Sequence, residues 1–286
     1  MPTPWRWKTW GKRCGIAFAL LIVFLGLAGP FLLDYFENKM ISTGPNGPQT
    51  PADVGLGYER AKIPSGQRLL DAYVVPAAVT CQPSVALLIF HGVGETISNW
   101  VGALRLLHEQ CIASLVFDYS GDGDSTGQAT VKHLDEDAVS AYRFFVSRFA
   151  DSGRRCVLGF SMGNAPMLES LSRFSPAPAC VVVGSAFSSG RDSASLMGIP
   201  SFFFAVLPDD WNNVRNVTGA HPPLLVVHSD ADKVLPLWMG QRIFQAASEP
   251  KSFALVHGLR HNASYKTVAP EWWEPVIHFV RSSPEK

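Results

Sequence analysis

Residues Val157 to Ala165 read VLGFSMGNA: an apolar run, then Ser161 between Gly159 and Gly163, then residues that suit a helix. A short continuous apolar run is what a strand buried on both faces of a sheet looks like. A serine one residue past such a strand, with a glycine on either side to let the backbone turn sharply, fits a nucleophile mounted on a strand–turn–helix junction. The same letters also fit a small polar residue in a tight turn. The rest of the chain decides, because a serine nucleophile needs a base and an orienting acid.

The neighbouring segments alternate. YERAKIP and RLLDAYVVP flank Ser65-Gly66 as a β-hairpin. VALLIF (85–90), ASLVFDY (113–119), CVLGF (156–160), CVVVGSAF (180–187), LLVVHS (224–229) and SFALVHG (252–258) read as strands. Between them, NWVGALRLLHEQ, VKHLDEDAVSAYRFFVSRF, NAPMLESLSRF and LWMGQRIFQAAS have helical spacing, and EWWEPVIHFVRS closes the chain. The long helix places Val131, Leu134, Ala138, Ala141 and Phe145 on one face. Strands separated by helices imply a parallel sheet covered on both sides, an α/β fold whose sites lie at the carboxyl ends of the strands.

Two further groups fall at that edge in the order Ser, acid, His. LLVVHS is followed by DADKVLP, with Asp230 and Asp232, and SFALVHG is followed by LRH, with His261. His257 is expected still within its strand.

The stretches FHGVGET, FDYSGDGDSTG, GFSMG, HSDADKVLP and HGLRH together resemble the α/β-hydrolase fold superfamily, in its serine-hydrolase branch with a small cap, over roughly residues 54–284. The resemblance implies a mostly parallel eight-stranded sheet with helices on both faces. It implies Ser161 as nucleophile, His261 as base and Asp232 as the acid that holds the imidazole. It favours Asp232 over Asp230 by spacing, although Ser229 stands where the family carries glycine. The backbone N–H of Met162 and of Val93 are the oxyanion donors it implies, and His91 is a structural residue of the H-G turn. Asp118, Asp122 and Asp124 belong to a loop the family holds without metal, and their spacing lacks the closing glutamate of a calcium loop. No metal and no cofactor are expected. Residues 188–220, with Phe202, Phe203, Phe204 and Trp211, correspond to a short cap, which suggests an apolar acyl group; core packing explains the same cluster. Trp272 and Trp273 read as packing of the last helix.

The chain has 286 residues, 47% hydrophobic and 17% charged, enough for one large domain with a proper core. Its 24 basic and 24 acidic residues balance, and no long basic run lies beyond residue 13, so no nucleic-acid partner is expected. Gly15 to Leu33 carries no charge and is nearly long enough to span a bilayer. Residues 1–14 before it hold Arg6, Lys8, Lys12 and Arg13, and Trp5, Trp7 and Trp10 suit the membrane interface. The positive-inside bias predicts a single-pass anchor at 15–33 with its N-terminus in the cytoplasm and the rest exported, to a bacterial periplasm above all. A cleaved signal peptide is the rival reading. Residues 34–53 read as a linker, rich in Gly and Pro from Asn38 on, and 54–286 as the catalytic domain. Asn216 and Asn262 begin sequons that matter only in a glycosylating host.

Cys81, Cys111, Cys156 and Cys180 each precede a strand, at the edge opposite the site. The family's sheet order makes neighbours of the first two strands and of the last two, implying disulfides Cys81–Cys111 and Cys156–Cys180, in keeping with an oxidising compartment. Four small buried thiols are the alternative. Cys14 lies at the membrane edge.

The expectation is thus a membrane-anchored serine hydrolase acting on an ester, thioester or amide of a small acyl substrate, oligomeric state open. An ester demands least of the leaving group, but peptidase and lipase activities use the same triad and the fold alone does not choose between them; a catalytically silent binding protein and a cofactor-free perhydrolase are the further alternatives.

Overall fold

A computed structural model of the chain describes residues 12–16, 41, 43–45, 47–81, 85–199, 201 and 209–282. Most of the apolar run expected to cross a membrane, residues 17–33, lies outside the described residues, as do Phe202, Phe203 and Phe204 of the expected cap. Among the described residues no helix is long and apolar enough to cross a membrane.

Eight strands form one sheet in the order β1-β2-β4-β3-β5-β6-β7-β8. β1 (Glu59–Ser65) and β2 (Arg68–Val75) make the hairpin, and β2 runs antiparallel to β4 (Ile112–Phe117). The other strands are parallel: β3 (Val85–Phe90), β5 (Arg154–Phe160), β6 (Cys180–Gly184), β7 (Leu224–Ser229) and β8 (Lys251–Val256). All side chains of β3, β4, β6 and β7 are buried, whereas edge strand β8 buries one in six. This is the difference between a strand covered on both faces and one at the rim of a sheet.

The core has two layers. Leu88, Phe90, Val157 and Val183 face α2 (Val131–Arg148) on one side, with Leu134, Ala138, Ala141 and Phe145 inward. Leu87, Ile89, Leu158 and Val182 pack on the other with α1 (Val101–Glu109) and α8 (Pro270–Ser282), where Trp272 and Trp273 are fully buried. α3 (Asn164–Ser170) follows β5, α4 (Gly190–Leu196) follows β6, and α6 (Leu237–Ala246) follows β7, so each begins at the carboxyl edge of the sheet. α5 (Asn213–Asn216) and α7 (Ala263–Lys266) are single short turns of helix.

Cys81 is bonded to Cys111 and Cys156 to Cys180, the latter two paired across β5 and β6. The bridges span 30 and 24 residues, and each restricts the unfolded chain by about 3–4 kcal/mol on the loop-entropy model. Replacing both members of either pair with serine is expected to lower unfolding stability by about that amount. Denaturant titration with and without a phosphine reductant measures it; unchanged curves on reduction would remove the bridges from the stability of the fold.

Candidate active site

The turn after β5 brings Ser161 out of the sheet with φ of 52°, in the left-handed region that non-glycine residues rarely adopt. Three features hold it there. A Cβ on Gly163 would collide with the carbonyl oxygens of Phe90 and His91. A Cβ on Gly159 would lie 2.7 Å from Asn164 Cα. Asn164, itself buried, donates from Nδ2 to the carbonyls of Ser161 and Gly184, both at 2.9 Å, stitching the turn to the end of β6.

The loops after β7 and β8 place two side chains over this serine. Ser161 Oγ–H donates to His261 Nε2 at 2.9 Å, and His261 Nδ1–H donates to Asp232 Oδ2 at 2.7 Å. The other oxygen, Oδ1, accepts the N–H groups of Val234 and Leu235, both at 2.9 Å. Burial alone would push the Asp232 carboxyl up; the His261 contact and charge, then the two amides, outweigh it and hold it below the usual carboxylate range. An ionised Asp232 accepts only, so the imidazole proton sits on Nδ1 and the Nε2 lone pair faces the serine.

The competing pair lies elsewhere. Asp230 takes the His257 ring nitrogen at 2.7 Å and the Gly258 N–H at 2.8 Å, on the open surface. His257, expected within its strand, is one residue beyond it, because β8 ends at Val256 and the chain turns into this pair.

The turn after β3 supplies the backbone donors. Gly92 N–H is taken by Glu95 Oε2 at 3.0 Å, and the Gly92 carbonyl accepts from Glu95 N–H and His91 Nδ1. The next N–H is that of Val93, whose side chain is exposed; Met162 N–H follows Ser161 in the same turn of 3₁₀ helix. Gly92 sits between the two elements: a Cβ there would be 2.6 Å from Glu95 Oε1 and 3.2 Å from Ser161 Cβ.

Three residues of this site carry no sequence signal of their function. Glu95, in a glycine-rich turn, reads as a solvated surface residue, yet it is buried and also accepts Trp100 Nε1–H at 2.9 Å. Burial pushes its carboxyl up, against the pull of His91 and of these donors. Ser229, where the resemblance expects glycine, donates to the Leu259 carbonyl at 2.7 Å and so ties the acid loop to the histidine loop. His228, fully buried behind Asp232, donates from Nε2 to the Leu235 carbonyl at 2.8 Å and closes that loop from below; burial pushes its ring below the usual histidine range.

Removing the Glu95 carboxylate strands two buried donors, each worth about 1–3 kcal/mol. Glu95→Ala is expected to lower unfolding stability by about 2–6 kcal/mol, with Glu95→Gln, which keeps an acceptor oxygen, recovering most of it. Thermal unfolding of the two variants checks this; equal loss in both would mean that charge rather than hydrogen bonding holds the turn.

The aspartates of residues 118–124 are engaged internally. Asp118 Oδ1 accepts Ile97 N–H and lies 3.5 Å from buried His91, Asp122 Oδ1 accepts Gly44 N–H, and Asp124 pairs with Arg60. Burial opposes a charge on His91, but Asp118, Asp122 and Glu95 push it up to about 9, in keeping with a structural ion pair. Among the described residues no group of three His, Cys, Asp or Glu side chains could hold a metal ion.

Known proteins agree with this architecture. No family model matches the chain. It is 26% identical to an uncharacterized protein of Mycobacterium tuberculosis over 262 residues, 88% of this chain and 90% of the relative. It is 26% identical to human alpha/beta hydrolase domain-containing protein 17B over 191 residues, 64% and 63% of the two chains. Among solved structures, the Pyrococcus furiosus esterase Pf2001 superimposes with a TM-score of 0.67 at 18% identity, covering 84% of this chain and 95% of the esterase. The esterase domain of a Rhodothermus marinus protein gives 0.58 at 22% identity, covering 79% and 99%. The chain has the α/β-hydrolase fold.

Proposed function

We propose that this chain is a serine hydrolase that cleaves a carboxylic ester, or a thioester or amide, through an acyl-enzyme. The observation that carries the reading is the unbroken relay Ser161 Oγ, His261, Asp232 at 2.9 and 2.7 Å. His261 takes the Ser161 proton as the oxygen attacks the acyl carbon, then gives it to the leaving group. Asp232 fixes the imidazole tautomer and stabilises the imidazolium. The oxyanion is met by the N–H groups of Met162 and Val93, since Gly92 N–H is already spent on Glu95. Water then attacks the acyl-enzyme with His261 again as base. An ester demands least of the leaving group and is the favoured substrate.

The apolar run 15–33 would hold the domain to a membrane, N-terminus in the cytoplasm, with residues 54–286 outside. The two disulfides are in keeping with such a compartment.

The test is a fluorophosphonate probe on the full chain in detergent, with the adduct mapped by mass spectrometry alongside turnover of p-nitrophenyl esters. A single adduct on Ser161 and ester turnover are the expected result. A folded protein that neither labels nor turns over any ester would favour the silent binding protein.

A further inference from the structure

The chain enters its domain at the face that carries the candidate site. Ile41 is buried in the core layer that holds Phe117 and Tyr119. Gly44 donates its N–H to Asp122 at 2.9 Å and accepts from Gly123 N–H at 3.0 Å. It lies so close to the Val93 turn that a Cβ on Gly44 would meet the Gly94 carbonyl at 2.7 Å and that of Glu95 at 3.0 Å. Ser98 then donates to the Gly47 carbonyl at 2.8 Å. All of these partners belong to loops at the carboxyl edge of the sheet.

Leu33, the last residue of the apolar run, precedes Ile41 by eight residues, and eight residues reach at most about 30 Å. A domain of this size is roughly 45 Å across. A tether shorter than the domain, attached beside the site, cannot let that face turn fully away from the bilayer.

The same face exposes five large apolar side chains, beside the open Asp230–His257 pair. Val93, Leu196, Met197, Val234 and Trp238 are 40–61% exposed. Val93 is in the donor turn, Val234 and Trp238 are on the loop and helix that follow Asp232, and Leu196 and Met197 end α4. α4 and α6 are joined on this side by the Asp192–Arg242 ion pair at 2.8 Å. Lys233 and Arg260, each one residue from Asp232 and His261, are exposed as well and suit anionic headgroups. Of the remaining exposed large side chains of the described domain, Leu69 lies at the start of β2, Val79 lies past its other end and Leu255 is on edge strand β8.

We infer that the mouth of the Ser161 site docks on the lipid bilayer, with Val93, Leu196, Met197, Val234 and Trp238 as its contact rim, so that the substrate is an acyl compound resident in the membrane. This rests on the hydrolase and anchor readings above. It adds an orientation and a substrate class to them: an ester whose acyl chain moves from the bilayer to Ser161 without crossing water.

The test uses the full chain, with Cys14→Ser, in vesicles of equimolar phosphatidylcholine and phosphatidylglycerol. An environment-sensitive fluorophore is placed on Met197→Cys, on Val234→Cys and, as the distant reference, on Val79→Cys. Labels at 197 and 234 are expected to be blue-shifted and quenched by nitroxide lipids, with the label at 79 unaffected. In parallel, Met197→Asp with Trp238→Asp is expected to cut hydrolysis of a long-chain ester held in the vesicles about tenfold, leaving a soluble short-chain ester unchanged. Vesicle-bound protein whose three labels report the same aqueous surroundings overturns the inference. Protein that does not float with the vesicles, yet hydrolyses the soluble ester, overturns the anchor reading and the docking with it. Protein that floats and docks but hydrolyses neither ester leaves the docking standing and overturns the hydrolase reading and the membrane-resident substrate.

Discussion

Ser161→Ala is expected to lower ester turnover by about 10⁵–10⁶-fold, to the rate supported by binding and backbone donors alone. The size follows from the proposed chemistry: without Oγ no acyl-enzyme forms, and His261 has no proton to move. His261→Ala should cost about as much, and the double variant no more than either alone, because the two groups act as one unit. The strained backbone gives an independent control. With φ of 52° at Ser161, alanine inherits the strain and glycine relieves it, so Ser161→Gly should be about 1 kcal/mol more stable than Ser161→Ala while equally inactive. Steady-state kinetics and thermal unfolding on the three variants decide the matter. Turnover surviving in Ser161→Ala at more than a few per cent would remove this serine as the nucleophile.

The sheet is legible in the sequence because its parallel strands are buried on both faces. VALLIF, CVLGF, CVVVG and LLVVHS are uninterrupted apolar runs, and each forms part or all of a strand. The carboxyl-edge positions of Ser161 and Asp232 follow from counting one and three residues past two of those strands, and that of His261 from counting five past edge strand β8. What stays hidden is whatever depends on the direction of a loop side chain. Glu95 looks like a polar residue between a glycine and a threonine; only the fold of its turn carries it inward to Gly92 N–H and Trp100 Nε1. His228 reads as one more strand residue, because its bond to Leu235 depends on how the acid loop folds back. Ser229 looks like a departure from the family pattern, and its hydroxyl proves to bridge two loops that are 30 residues apart in sequence.

The choice between two nearby acids makes Asp232→Asn the most informative single change. It is expected to lower kcat by about 10⁴-fold with the protein still folded. An asparagine here can present Nδ2–H to His261 Nδ1, which places the ring proton on Nε2, facing Ser161 Oγ, where a lone pair is needed. Asp230→Asn should leave kcat within about twofold, since Asp230 serves exposed His257 and Gly258 and lies outside the relay. The two variants should also differ in how stability depends on pH. Asp232 is held below its ordinary range in the folded protein, so the stability it contributes is present above about pH 4, where the unfolded carboxyl is ionised, and is lost as pH falls through the folded value. The gap in unfolding free energy between wild type and Asp232→Asn should therefore be widest near neutral pH and narrow as pH falls below about 4. A wild-type-like kcat in Asp232→Asn alongside a collapse in Asp230→Asn would transfer the acid's role to Asp230. That would require the loop after β8 to carry a different imidazole to Ser161 from the one that touches it here.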